Sequence, residues 1–262
     1  MNLVPLALAA ATLLPAGQEP SLRLVYDLGP TDPAEARAEF LEPLRLRAER
    51  AGMDPAALEL DDSGRLVVSA APARVESWTR LVERRGRLEF LAVAERGDLP
   101  AGVLDAERDA LEALRQVWPD FDPALYRSAR PEAAALRWAL LEGDEGASLM
   151  PLLVEKDPAR RFVTADLLGL AETADGAGWP ALSGRVDRPE EFGDFTESLR
   201  DRMMAVVLDG EVLVAPVVVD RLPGEFVISL GTVRRQQPDE LLPLMLAGEL
   251  PRVPALVAVV GG

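Results

Sequence analysis

Apolar and polar positions alternate along SLRLVYDL, residues 21–28, and this spacing predicts a strand. TDPAEARAEFLEPLRLRAERAG, residues 31–52, repeats its apolar positions at helical spacing. Thr31 or Asp32 is placed to cap that helix, Pro33 sits in its first turn and Gly52 closes it, while Pro43 within it predicts a kink or a split. A short strand at 58–60, a turn at Asp61-Asp62-Ser63-Gly64 and a strand RLVVSA follow. A second amphipathic helix ends at Gly86, and RLEFLAV, 87–93, reads as a strand. The order strand, helix, strand, strand, helix, strand is that of a ferredoxin-like βαββαβ unit over residues 20–96.

The pattern then changes. Residues 97–149 carry two segments of helical composition, DAERDALEALRQVW and PEAAALRWALLEG, broken by Pro, Gly and charge. They predict a helical connector in which Trp118 and Trp138 pack inward. From 150 to 262 a second α+β unit is expected. Its strands are PLLVE, WPALSGRV, MAVVLD, EVLVAPVVVD, EFVISLG and VPALVAVV, with a short strand or turn at ARRFVTADLLGL. Its helices are EEFGDFTESLRDR and PDELLPLMLAGEL, the second bent by Pro243. Asp209-Gly210 between two apolar runs predicts a two-residue type I′ hairpin, because both central residues need positive φ. Ala215-Pro216 places that strand at an edge or a bulge, since proline cannot donate to a ladder. The fold class is α+β: a ferredoxin-like base, a helical connector and an α+β head.

Composition narrows the chemistry. Hydrophobic residues make up 48% of the 262 and aromatic residues only 5%, so the core is expected to be mostly Ala, Val and Leu. The formal net charge of −16 repels phosphate backbones and anionic headgroups, and Lys156 is the only lysine, so no nucleic-acid partner is expected. The chain has no Cys and no His. That excludes disulfides, thiol nucleophiles, Ser-His-Asp and Cys-His catalysis, and the usual zinc sites. No catalytic, cofactor-binding or metal-binding residue is expected. Asp61-Asp62-Ser63-Gly64 lacks the closing glutamate of a calcium loop, and Glu190, Glu191 and Asp194 read as a solvated helix start.

Residues Leu3–Leu14 form an apolar run that ends in small residues near Ala16 and Gly17. This reads as a signal peptide over 1–17, and the abrupt polar Gln18-Glu19-Pro20 favours it over a buried N-terminal element. The run is short for a membrane span, and no later segment approaches eighteen uncharged apolar residues, so no transmembrane helix is expected beyond an uncleaved signal.

Three motifs in order carry a resemblance. They are Gly86-Arg87-Leu88-Glu89-Phe90, then MAVVLDGEVLVAPVV with Leu208, Asp209, Gly210, Ala215 and Pro216, then LLPLMLAGELPRVP with Gly248, Leu250 and Pro251. This series resembles the SecD subunit of the bacterial Sec preprotein translocase, in its large first periplasmic domain of base and head. The similarity runs over roughly 22–95 and 150–257 and leaves 97–150 aside. It implies an extracytoplasmic, non-enzymatic protein that contacts unfolded secretory polypeptides or Sec translocase components, with no cofactor. Pro223-Gly224 departs from a glycine pair frequent in the family. The sequence stops at Gly262 about where the family's membrane helices would begin, so the proton-relaying residues have no counterpart in it. The alternative is a structural or interaction part repurposed for another cell-envelope complex; a carboxylate-based secreted hydrolase is the third reading.

Overall fold

The computed structural model describes residues 21–30, 32–143, 146–155, 157, 160–230 and 238–261. The signal read at 1–17 and the Thr31 cap lie outside the described residues. The chain divides into two compact units, one from the residues up to Arg85 together with Leu250–Gly262, the other from Gly86–Glu249. This division departs from the boundaries expected at 96 and 149, and each unit is α+β.

In the first unit β1 (Leu22–Asp27) leads to α1 (Pro33–Ala36), where Asp32 accepts a hydrogen bond from Ala34 N at 2.8 Å. The helix widens into a π-type turn at Arg37–Leu41 before α2 (Glu42–Arg50). This is the form the break at Pro43 takes: a proline has no N–H to bond the carbonyl four residues back, and its ring crowds that carbonyl. β2 (Leu58–Leu60) and β3 (Leu66–Ala70) are joined by a turn in which Asp61 Oδ1 accepts from Ser63 N and Arg65 N at 2.9 and 3.0 Å. After α3 (Val75–Val82) the chain leaves this unit, and the strand that completes its sheet is the last in the sequence, β13 (Ala255–Gly261).

The sheet order is β13-β1-β3-β2, antiparallel throughout. The expected βαββαβ run is therefore corrected at its end: residues 88–93 are not the fourth strand. Leu88–Val93 is buried at every position, which suits a central strand covered on both faces, whereas the position beside β1 is an edge and β13 is exposed along its length. Leu24 and Tyr26 of β1, Val68 of β3, Phe40, Leu44 and Trp78 of the helices, and Leu250 form the core.

Arg47 is fully buried in that core. Its guanidinium donates to the carbonyls of Leu81, Arg84 and Arg85 at 3.3, 2.5 and 2.7 Å, satisfying groups that the end of α3 leaves open. The Arg85 carbonyl also accepts from Leu250 N at 2.8 Å, and Arg85 Nε returns a bond to the Leu250 carbonyl at 3.0 Å. One arginine thus organises the points where the chain departs and comes back.

The second unit begins with β4 (Leu88–Val93), followed by α4 (Val103–Val117), β5 (Leu136–Gly143) and β6 (Gly146–Leu153). The helix expected over 131–143 is corrected to a strand. Its alanines favour a helix, but pairing with β6 buries Trp138 on one face and Ala139 on the other, and tertiary pairing outweighs local propensity. The stretch 97–149 is thus one helix and a hairpin within the second unit, not a connector.

Then come β7 (Phe162–Val163), β8 (Leu167–Ala174), β9 (Pro180–Val186), α5 (Pro189–Glu197), β10 (Met204–Leu208), β11 (Glu211–Val214), β12 (Glu225–Ser229) and α6 (Pro238–Leu246), which keeps Pro243 inside it. One sheet has the order β11-β10-β4-β6-β5, with β7 also on β4. Its end strands β11 and β5 lie against each other, so it curls around Leu91, Val93, Leu152, Ala205 and Val207. The other sheet is β12-β9-β8.

Although aromatics are sparse, five of the seven phenylalanines meet in one cluster. Phe90 meets Phe192 and Phe226 edge-on at 5.4 and 5.2 Å, and Phe162 meets Phe192 at 4.9 Å. The core is therefore less purely aliphatic than composition suggests.

Two predictions follow from the first unit's core. Arg47→Met removes the donor for three inward carbonyls and should lower stability by about 3 kcal/mol in urea unfolding, with Arg47→Lys losing less. Burial of Tyr26 pushes its phenol up to about 12, and the nearby Glu83 carboxylate adds to this. The stability this contributes is complete below the unfolded phenol value near pH 10 and is lost as pH rises from about 10 towards 12, about 2–3 kcal/mol in all. Tyr26→Phe should flatten that descent in denaturation measured from pH 8 to 12.

Candidate functional site

The hairpin of the second motif pairs Leu208 with Glu211 around Asp209 and Gly210, whose φ values are 52° and 91°. Both are positive, as a type I′ turn requires, and glycine at the second position carries the larger value without a Cβ clash. The Asp209 carboxylate accepts from Gly86 N at 3.0 Å and Arg87 N at 2.8 Å, while Asp209 N donates to the Arg87 carbonyl at 2.9 Å. Leu88 N donates to the buried Thr164 Oγ1 at 2.7 Å. Leu88 and Phe90 point to the phenylalanine cluster, and Glu89 is buried on the opposite face. There it binds Arg87 and Arg137, each at 3.1 Å. The face of β4 that carries Glu89 is therefore covered as well.

These bonds set the floor of a groove of about 800 Å³ in the second unit. Phe90, Met204, Val206, Leu213 and Ile228 line its base. One wall is the segment 215–219 that continues β11, and the other is β12. Among the described residues the continuing segment is hydrogen-bonded on one side only, to residues 201–204. Met204 N donates to the Pro216 carbonyl at 2.9 Å and Val218 N to the Arg202 carbonyl at 2.8 Å. Val217 lies between these anchors and Val219 just beyond them; they are 54% and 69% exposed.

β12 is an end strand of its sheet. Val186 N bonds the Gly224 carbonyl and Leu230 N the Pro180 carbonyl, so the even-numbered residues face β9. By the alternation of an antiparallel ladder, Glu225, Val227 and Ser229 turn their N–H and C=O groups to the open edge. Val227 is 60% exposed there. Two open edges thus face one apolar base.

The far end of the segment is anchored to α5. Leu222 N donates to the buried Thr196 Oγ1 at 3.0 Å, and Arg221 Nη2 donates to Glu190 Oε2 at 2.8 Å and Asp194 Oδ1 at 3.2 Å. The guanidinium lies flat on Gly193, where an added Cβ would come within 2.4 Å of Arg221 Cζ. Glu190 and Asp194 therefore hold an arginine rather than only facing water at a helix start.

The structure brings Gly86, Arg87, Leu88, Glu89 and Phe90 together with Leu208, Asp209 and Gly210 on adjacent strands, and Ala215 and Pro216 line the groove. Gly248 follows α6 with φ 85°. Leu250 and Pro251 fall in the first unit, Leu250 buried and Pro251 exposed. Residue-by-residue reading missed Val217, Val219, Val227, Asp220 and Glu225. The signal was present in VAPVVVD, an uninterrupted apolar run that a half-buried ladder would not need. No group of three or more metal-ligating side chains occurs among the described residues, and none of the described helices is long and apolar enough to cross a membrane.

Fold and groove together define a class: a two-unit α+β protein with an apolar cleft between open strand edges. Comparison with known proteins places that class. Residues 182–252 match the family described as SecDF, P1 head subdomain. The protein translocase subunit SecD of Magnetococcus marinus is 25% identical over 242 residues, covering 89% of this chain and 41% of that protein. SecD of Rhodobacter capsulatus is 33% identical over 134 residues, 50% of this chain and 24% of that one. The chain thus spans well under half the length of these relatives. A solved chain of SecDF, a membrane component that enhances protein export, shares the fold at a TM-score of 0.53 and 22% identity, with 90% of this chain and 98% of that one aligned. A super-membrane-facing form of SecDF matches at the same TM-score. The resemblance to SecD carried by the three motifs is shown.

Replacing Asp209 removes two charge-assisted bonds to the start of β4. Asp209→Ala should cost about 3 kcal/mol in denaturant unfolding of the second unit, and Asp209→Asn, which keeps an acceptor and tolerates positive φ, about half as much.

Proposed function

We propose that this protein takes part in protein export by binding extended, unfolded secretory polypeptides in the groove between 215–219 and β12. The observation that carries the reading is the pairing of an apolar base with outward N–H and C=O groups on β12. Main-chain groups hydrogen-bond any sequence, and an apolar floor accepts alternate side chains, so strand addition suits a client that has not folded. The likeness to SecD supports an export role in contact with Sec translocase components. It also supports an extracytoplasmic setting and binding work rather than catalysis.

The test is a photo-crosslinking amino acid at Val227 in the full-length protein, presented with a denatured secretory precursor. Crosslinks are expected at Val227 and absent from an exposed position far from the groove, such as Glu132. Val227→Pro removes an outward N–H without touching the ladder to β9 and should weaken capture at least about fivefold. Equal crosslinking at both positions, or full capture by the proline variant, would overturn the reading.

A further inference from the structure

The groove is apolar along its base but not neutral at its end. Among the described residues, the charged side chains that line it are Asp220 and Glu225, both carboxylates, placed where the chain turns from the 215–219 segment into β12. Asp220 shares Arg200 at 3.2 Å, but Glu197 already holds that arginine at 2.9 Å. Arg221 nearby is shared by Glu190 and Asp194. Each arginine is outnumbered two to one. Arg185 stands opposite Glu225 in the β12–β9 register and lines a second cavity with it, but it does not line the groove. With both Glu225 and Arg185 counted, these groups still carry an excess of two negative charges. At the other end Ser229 donates its hydroxyl to Asp175 Oδ2 at 2.6 Å, and among the described residues no arginine lines the groove there.

We infer that the groove selects its polypeptide by charge: it takes a segment of alternating apolar residues flanked by arginine or lysine, and rejects the same segment flanked by acidic residues. This deepens the polypeptide-binding reading and rests on it. A strand laid along β12 runs its main chain about 5 Å from Glu225, Val227 and Ser229. Its flanking residue at the turn end then reaches Asp220 and Glu225 across a few ångströms of apolar-walled space. There a like charge is repelled and an opposite one held more strongly than on open surface.

The test uses the full-length protein and three fluorescent peptides with one Val/Leu-alternating centre, flanked by Arg, by Ser or by Glu, read by anisotropy. The Arg-flanked peptide should bind about tenfold tighter than the Glu-flanked one in low salt, and the gap should narrow in 0.5 M salt. Asp220→Asn with Glu225→Gln should shrink the ratio to about threefold or less. Asp109→Asn with Glu132→Gln, exposed carboxylates outside the groove, removes the same overall charge and should leave the ratio intact. A ratio near one in the wild type, or an equal fall in both double variants, would overturn selection by these carboxylates while leaving polypeptide binding standing. Failure of all three peptides to bind, the Ser-flanked one included, would overturn both.

Discussion

The second unit depends on one carboxylate. Asp209 sits at a hairpin tip in a backbone conformation few residues accept, and from there it binds two N–H groups at the start of β4. That fixes the register of β10 against β4, because a one-residue slip would carry the carboxylate away from both donors and turn every side chain to the wrong face. β4 is the strand through which the unit is built. Leu88 and Phe90 supply the phenylalanine cluster, Leu91 and Val93 the inside of the curled sheet, and Phe90 the groove base. The GRLEF and LDG motifs, more than a hundred residues apart, are two halves of one hydrogen-bonded corner.

The first unit solves a different problem. Its sheet is closed by a strand that arrives after the whole of the second unit has been inserted. The loop-closure entropy of such a long insertion grows only slowly with its length, so the cost is modest if the return point is well anchored. Arg47 and the reciprocal Arg85–Leu250 bonds provide the anchor: carbonyls at the end of α3 and at the departing chain are satisfied from inside the core.

Open strand edges are normally blunted by charge, proline or cover, because they invite pairing. Around the groove the chain does this only in part. Pro216 and the Arg221 anchor hold one wall in place, yet Val217, Val219 and Val227 remain exposed over an apolar base. Carboxylates gather at one end of that base, in a protein whose overall charge is already −16.

Much of this was legible in the order of residues. The α+β class, the helix broken at Pro43, the type I′ turn at Asp209-Gly210 and the absence of His- or Cys-based chemistry follow from spacing, backbone preference and composition, which are local properties. The resemblance to SecD was also readable, because motif order survives when overall identity is low. What tertiary structure alone decided was partnership. LEFLAV and ALVAVV are both short apolar runs, and nothing local says that the first is a central strand of one sheet and the second the edge of another. The alanine-rich 134–141 looked helical until β6 paired with it. Motif residues supply Phe90 and one wall of the groove, but nothing local sets that wall against β12, since each edge is held by hydrogen bonds to other segments, 201–204 for the one and β9 for the other. Pairing of that kind is an energy of the assembled whole, not a preference of any single segment.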